Sequence, residues 1–155
     1  MTVQPRPSPM ESPDAWNLRN WCPQIGATLT FRGRILPTDF TTKRLRAVLR
    51  EVGKKCSVSI DSLLWFLVPE IGKAGEREHL HLLLAGIPPH HVNETTCKFI
   101  VAKWRRKGGG FADVHLYDPA RGEVGYVTKS SDALTERTGG PWYSDALRAL
   151  IMAAR

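Results

Sequence analysis

The chain has 155 residues, a length that favours one domain around a single core. Its 42% apolar and 24% charged content is ordinary for a soluble globular protein, and the longest apolar run, Leu63–Pro69, is too short to cross a bilayer. The net charge of +7, from 22 Lys and Arg against 15 Asp and Glu, predicts attraction to polyanions, nucleic acid first, and says nothing about chemistry. No basic stretch followed by an apolar run opens the chain, so no secretory signal is expected. The three cysteines, Cys22, Cys56 and Cys97, show no CxxC spacing. That pattern suits a reducing compartment and argues against a disulfide framework or a zinc finger.

In chain order, residues 1–22 are rich in proline and lack apolar periodicity, and they read as a disordered tail before a single domain over 23–155. "ATLTFRG" (Ala27–Gly33) alternates like a half-buried strand. In "LPTDFTTKRLRAVLREVGKK", Leu45, Val48, Leu49 and Val52 follow helical spacing, with Pro37-Thr38-Asp39 as the start and Gly53 as the stop. "LLWFLVPE" (Leu63–Glu70) is a buried strand, and "HLHLLLA" pairs with it if "IGKAGERE" closes a hairpin. Pro88-Pro89 opens a second helix that ends in "KWRRKGGG". "ADVHLY" is a further strand. Asp118-Pro119 starts a helix through about Ser131, and "SDALRALIMAAR" closes the chain as another. The order β-α-β-β-α-β-α-α predicts an α+β fold: an antiparallel central sheet of four to five strands with helices on one face. A fifth strand would come from "CSVSI" (Cys56–Ile60) or from the tail.

Alternation puts His79 and His81 on one face of their strand and Leu80, Leu82 and Leu84 on the other. The leucines face the helices, and the two imidazoles stand on the open face with Cα atoms roughly 6.5–7 Å apart. That separation lets both converge on one divalent ion. Glu70 ends the preceding strand nine residues before His79, where a tight hairpin would bring its carboxylate alongside. Two imidazoles and a carboxylate suit Mn²⁺, Mg²⁺, Co²⁺ or Zn²⁺ and leave positions open for a substrate. Glu76 and Glu78 remain alternatives for the third ligand, although Glu76 lies in the turn and Glu78 should face away from His79. Further on, Tyr126 and Lys129 are three apart in "GEVGYVTKSSD" and share a face of the expected helix, with Gly122 and Gly125 leaving room beside the phenol. His115 joins the imidazole face if Val114 and Leu116 meet the helices. It is an extra ligand, a phosphate contact or a polar residue on a wet sheet.

Taken together, "ATLTFRG", "HLHLLL" and "YVTK" resemble, in order, the three signatures of the HUH endonucleases: rolling-circle replication initiators and related transposases and relaxases. The resemblance spans about Gly26 to Asp132. It implies a ferredoxin-like Rep-type sheet with Glu70, His79 and His81 holding Mn²⁺ or Mg²⁺ on the face opposite the helices, and Tyr126 beside it. The implied activity is nicking and joining of single-stranded DNA at an origin or transposon end, as a sequence or a hairpin, with a 5′-phosphotyrosine on Tyr126 and a free 3′-hydroxyl. In that scheme Lys129 stabilises charge, a host helicase is a further partner, and no membrane is involved. DNA contacts would come from Arg32 and Arg34, from Lys103, Arg105, Arg106 and Lys107, from His115, and from Trp104 stacking on a base. Two other readings use the same residues: a non-catalytic nucleic-acid-binding domain of this fold, and a metal-dependent hydrolase that uses water in place of tyrosine.

Overall fold

The computed structural model describes residues 21–32, 38–71, 78–121 and 142–153. Five strands, β1 (Ile25–Phe31), β2 (Leu64–Ile71), β3 (Glu78–Ala85), β4 (Gly109–Leu116) and β5 (Trp142–Tyr143), form one sheet in the order β4-β1-β3-β2-β5. Every pairing is antiparallel. Three helices accompany it: α1 (Thr38–Cys56), α2 (Glu94–Arg106) and α3 (Asp145–Ala153). The fold is the expected α+β class. Because β3 inserts between β1 and β2, the first four strands follow the ferredoxin-like order.

Period-two alternation builds the main core. Ile25, Ala27, Leu29 and Phe31 of β1, Trp65 and Leu67 of β2, and Leu80, Leu82 and Leu84 of β3 share one face. They meet Leu45, Val48, Leu49 and Val52 of α1 and Cys97, Ile100 and Trp104 of α2. Each fully buried leucine contributes about 1.5–3 kcal/mol. The other face is not bare. Phe66, Val68, Leu83 and Ala85 form a second cluster there with Trp21 and with Leu147 of α3. Trp21 therefore belongs to the packed domain, although the sequence places it in the tail. Ser144 seats α3: its Oγ accepts from Trp65 N–H and from Leu147 N–H, both at 3.1 Å.

Three boundaries differ from expectation, each for a local reason. Helix α1 runs past Gly53 to Cys56 and ends with Ser57 at φ 56°, Val58 N–H donating to Gly53 C=O and Ser57 N–H to Lys54 C=O. A Cβ on Gly53 would stand 2.7 Å from Val58 O, so glycine is required inside the last turn rather than after it. That turn and a following 3₁₀ turn at Ile60–Ser62 consume "CSVSI", which is no strand. The fifth strand is Trp142–Tyr143, paired with Leu67 and Phe66 of β2. The second helix starts at Glu94 behind the N-cap Asn93, whose side chain accepts from Thr96 N–H at 3.0 Å, while Pro89–His91 forms a 3₁₀ turn. The helix expected to run to Ser131 begins as a 3₁₀ turn at Pro119–Arg121, and its remainder lies outside the described residues. Among the described residues no helix is long and apolar enough to cross a membrane.

Burial pushes the thiols of Cys56 and Cys97 above the usual cysteine range, while Cys22 is exposed. A thiol-reactive disulfide reagent at pH 8 should therefore modify Cys22 at once. Cys56 and Cys97 should react only on the timescale of unfolding, as peptide mapping by mass spectrometry would register.

Candidate metal centre

The register of one hairpin builds the site. In the β2–β3 pair Glu70 stands directly opposite His79, and Val68 opposite His81. Residues 70, 79 and 81 therefore share the face away from α1 and α2. Glu70 Oε2 lies 3.1 Å from His79 Nε2 and is hydrogen-bonded to His81 Nε2. The two imidazole rings are nearly perpendicular, with centroids 4.9 Å apart. The three side chains are 16–26% exposed, so the group is reachable from solvent, while Val68 beside His81 belongs to the second apolar cluster.

This donor set fits a divalent cation. Ligand atoms about 2.0–2.2 Å from one ion stand at most about 4.4 Å apart. One nitrogen from each imidazole and one carboxylate oxygen lie within 4.8 Å of one another, a distance that small side-chain rotations close. Glu70 supplies the acid of this group. Glu78 pairs with Ile71 and alternates onto the opposite face, and Glu76 lies outside the described residues. His115 is on the same face as the imidazoles, opposite Gly26, but one row along and two strands away, so it does not join the group.

The expected DNA contacts divide. Trp104 is 1% exposed, donates its Nε1–H to Thr30 C=O at 2.9 Å and packs on Phe31 with centroids 5.4 Å apart. It cannot stack on a base. Gly109 makes room for it, since a Cβ there would meet the indole at 2.3 Å. Lys103 lies in the helix layer, 3.7 Å from Glu51 and over the Phe99 ring. Lys54 first, and Lys103 after it, hold the Glu51 carboxyl below the usual range against its desolvation. Arg32, Arg105, Arg106 and Lys107 are exposed. They stand where β1 ends and β4 begins, and Phe31 pairs with Gly109 at the same end of the sheet as Glu70 and His79. Arg34, Tyr126 and Lys129 lie outside the described residues.

The sequence reading missed Thr28, Thr30 and Phe111 as neighbours on this face. Thr28 pairs with His81 on one side and Asp113 on the other, which makes a row Asp113–Thr28–His81–Val68 across four strands. One step along, the β1–β3 register continued past Leu29↔Leu80 sets Thr30 beside His79, so the row reads Phe111–Thr30–His79–Glu70, and Phe111 is 54% exposed. Extending the alternation of "ADVHLY" backwards by one residue would have put Phe111 on this face.

In comparisons with known proteins, the chain matches no family model, no curated protein and no solved structure.

Titration calorimetry with Mn²⁺ should give one site per chain. His79→Ala, His81→Ala and Glu70→Gln should each weaken it by at least the roughly 10- to 100-fold that even an outer-shell partner costs. Trp104→Ala should leave Mn²⁺ binding in place and lower the unfolding free energy by about 3–5 kcal/mol in urea denaturation, as for a buried aromatic rather than a surface one.

Proposed function

We propose that this chain is a metal-dependent endonuclease of the HUH type. It would nick and rejoin single-stranded DNA by tyrosine transesterification at an origin or transposon end in a bacterial cytoplasm. The observation that carries this reading is the convergence of Glu70, His79 and His81 on the sheet face opposite α1 and α2. The order of "ATLTFRG", "HLHLLL" and "YVTK" along the chain supports it.

In this reading the two imidazoles and the carboxylate hold Mn²⁺ or Mg²⁺, and strand pairing fixes their spacing. When bound, the ion supplies Lewis-acid charge stabilisation at a scissile phosphate. The Tyr126 phenol attacks phosphorus, a new Oη–P bond forms, the bond from phosphorus to the 3′ oxygen breaks, and that oxygen leaves as a hydroxyl. The phenol proton passes to solvent. An ordinary phenol ionises only near about pH 10, so Lys129 is assigned to stabilise phenolate or phosphate charge. The phosphotyrosine keeps the energy of the broken ester, and attack by a 3′-hydroxyl reseals the strand without ATP.

Incubating the protein with Mn²⁺ and a single-stranded oligonucleotide labelled at its 3′ end tests this reading. The wild type should give a labelled band that resists SDS and shifts by the mass of the chain, and Tyr126→Phe or EDTA should abolish it. Cleavage without an adduct would assign a water-using hydrolase. Binding without cleavage would assign a non-catalytic DNA-binding domain.

A further inference from the structure

We propose that Phe111 is the platform on which the base next to the metal-held phosphate stacks, an inference that rests on the single-strand reading above. The residue is placed by a bulge. Leu29 pairs with Ala112 and Phe31 with Gly109, so Gly110 and Phe111 together oppose Thr30. Such a bulge re-aims a side chain and shifts the pairing beyond it by one residue. Here Ala112 stays in the core and a Cβ on Gly109 would collide with the buried Trp104 ring. The two residues between them therefore turn to the imidazole face.

Specific contacts hold this bulge. Thr30 Oγ1 accepts from Phe111 N–H at 2.8 Å and donates to Phe111 C=O at 3.3 Å. Gly110 is needed because a Cβ there would stand 2.7 Å from Thr30 Oγ1 and 2.9 Å from Phe31 O. A single exposed phenylalanine is unremarkable on any protein surface. This one is fixed by its own backbone clamp in the same row as Glu70 and His79, and it is not part of either apolar cluster.

The spacing decides what it would hold. Phe111 and His79 are separated by β1 alone, two strand spacings or roughly 10 Å between Cα atoms. One nucleotide spans that interval with its phosphate at the imidazoles and its base over the phenyl ring. A ring offers its π-face to any base, so the contact fixes the position of the strand without selecting its sequence. Exposed Arg32 follows β1 at this end, and Lys107 precedes β4, where flanking phosphates of the same strand would pass.

The test compares wild type, Phe111→Ala and Phe111→Trp by anisotropy with labelled single-stranded oligonucleotides in Mn²⁺. 2-Aminopurine is placed at each position around the cut, and thermal unfolding of each variant checks its fold. We expect one flanking position to be quenched on wild-type and Phe111→Trp protein. Phe111→Ala should lose that quench and bind about 5- to 100-fold more weakly. An abasic site at that position should erase the difference. Equal affinity and quenching with Phe111→Ala, while the wild type still nicks, would overturn the platform and leave the nicking reading standing. A wild type that neither binds nor nicks single-stranded DNA would remove both.

Discussion

The register between β2 and β3 is the constraint on which both the core and the site depend. Eight consecutive residue pairs, from Leu64↔Ala85 to Ile71↔Glu78, tie the two strands together. With side chains alternating at every residue, a slip of one position would turn Leu80, Leu82 and Leu84 toward the imidazole face and drive His79 and His81 under the helices. That slip would expose three leucines now 0–1% exposed and bury two imidazoles without partners. Each exposed leucine costs about 1.5–3 kcal/mol, a total comparable to the net stability of a small domain. The core thus fixes the site. Glu70 faces His79 because the leucines must face α1 and α2.

The second apolar cluster gives the imidazole face its asymmetry. Leu147 of α3 and Trp21 cover the end of the sheet where Phe66, Leu83 and Ala85 lie. The end that holds Glu70, His79, Thr30 and Phe111 carries a polar group and one exposed ring. A charged group half-shielded on a strand surface interacts more strongly with its partners than one in bulk water. The Glu70 carboxylate accordingly makes contacts to both imidazoles rather than extending into solvent.

Much of this architecture was legible in the sequence, because alternation and helical spacing report burial directly. Leu45, Val48, Leu49 and Val52 form the inner stripe of α1, and the His-x-His phase placed both imidazoles and, through the hairpin, Glu70. The failures have physical causes. Trp104 attracted attention through its basic neighbours, yet Cys97, Ile100 and Trp104 lie at i, i+3 and i+7, the spacing of a buried face. Gly53 looked like a helix stop because glycine usually follows the last turn, whereas here it admits the returning Val58 carbonyl. The two-residue β5 has too short a pattern to register, since its pairing with β2 is a tertiary event. Phe111 was hidden behind three glycines that read as the end of the second helix. One of them caps α2 at φ 91°, one yields to Trp104 and one permits the bulge.

The basic charge of the chain tells less about the site than its size suggests. Helices α1 and α2 together carry ten Lys and Arg against three Asp and Glu, equal to the whole net charge of +7. Their exposed cations, Lys43, Arg46, Arg50 and Lys98 among them, stand on the outer side of the helix layer. In the proposed reading a phosphate at Glu70, His79 and His81 would stand across the sheet from these cations, and with a screening length of about 8 Å at physiological ionic strength it would feel little of their field. In that reading the helix cations would act on approach and orientation over distance, and their influence should fade as salt rises. Under the proposed single-strand reading, contacts that would hold a strand at the imidazoles fall to groups at that end of the sheet: Arg32, Lys107 and the ring of Phe111. In that reading charge attracts, but the pairing of four strands would decide where a phosphate and its base come to rest.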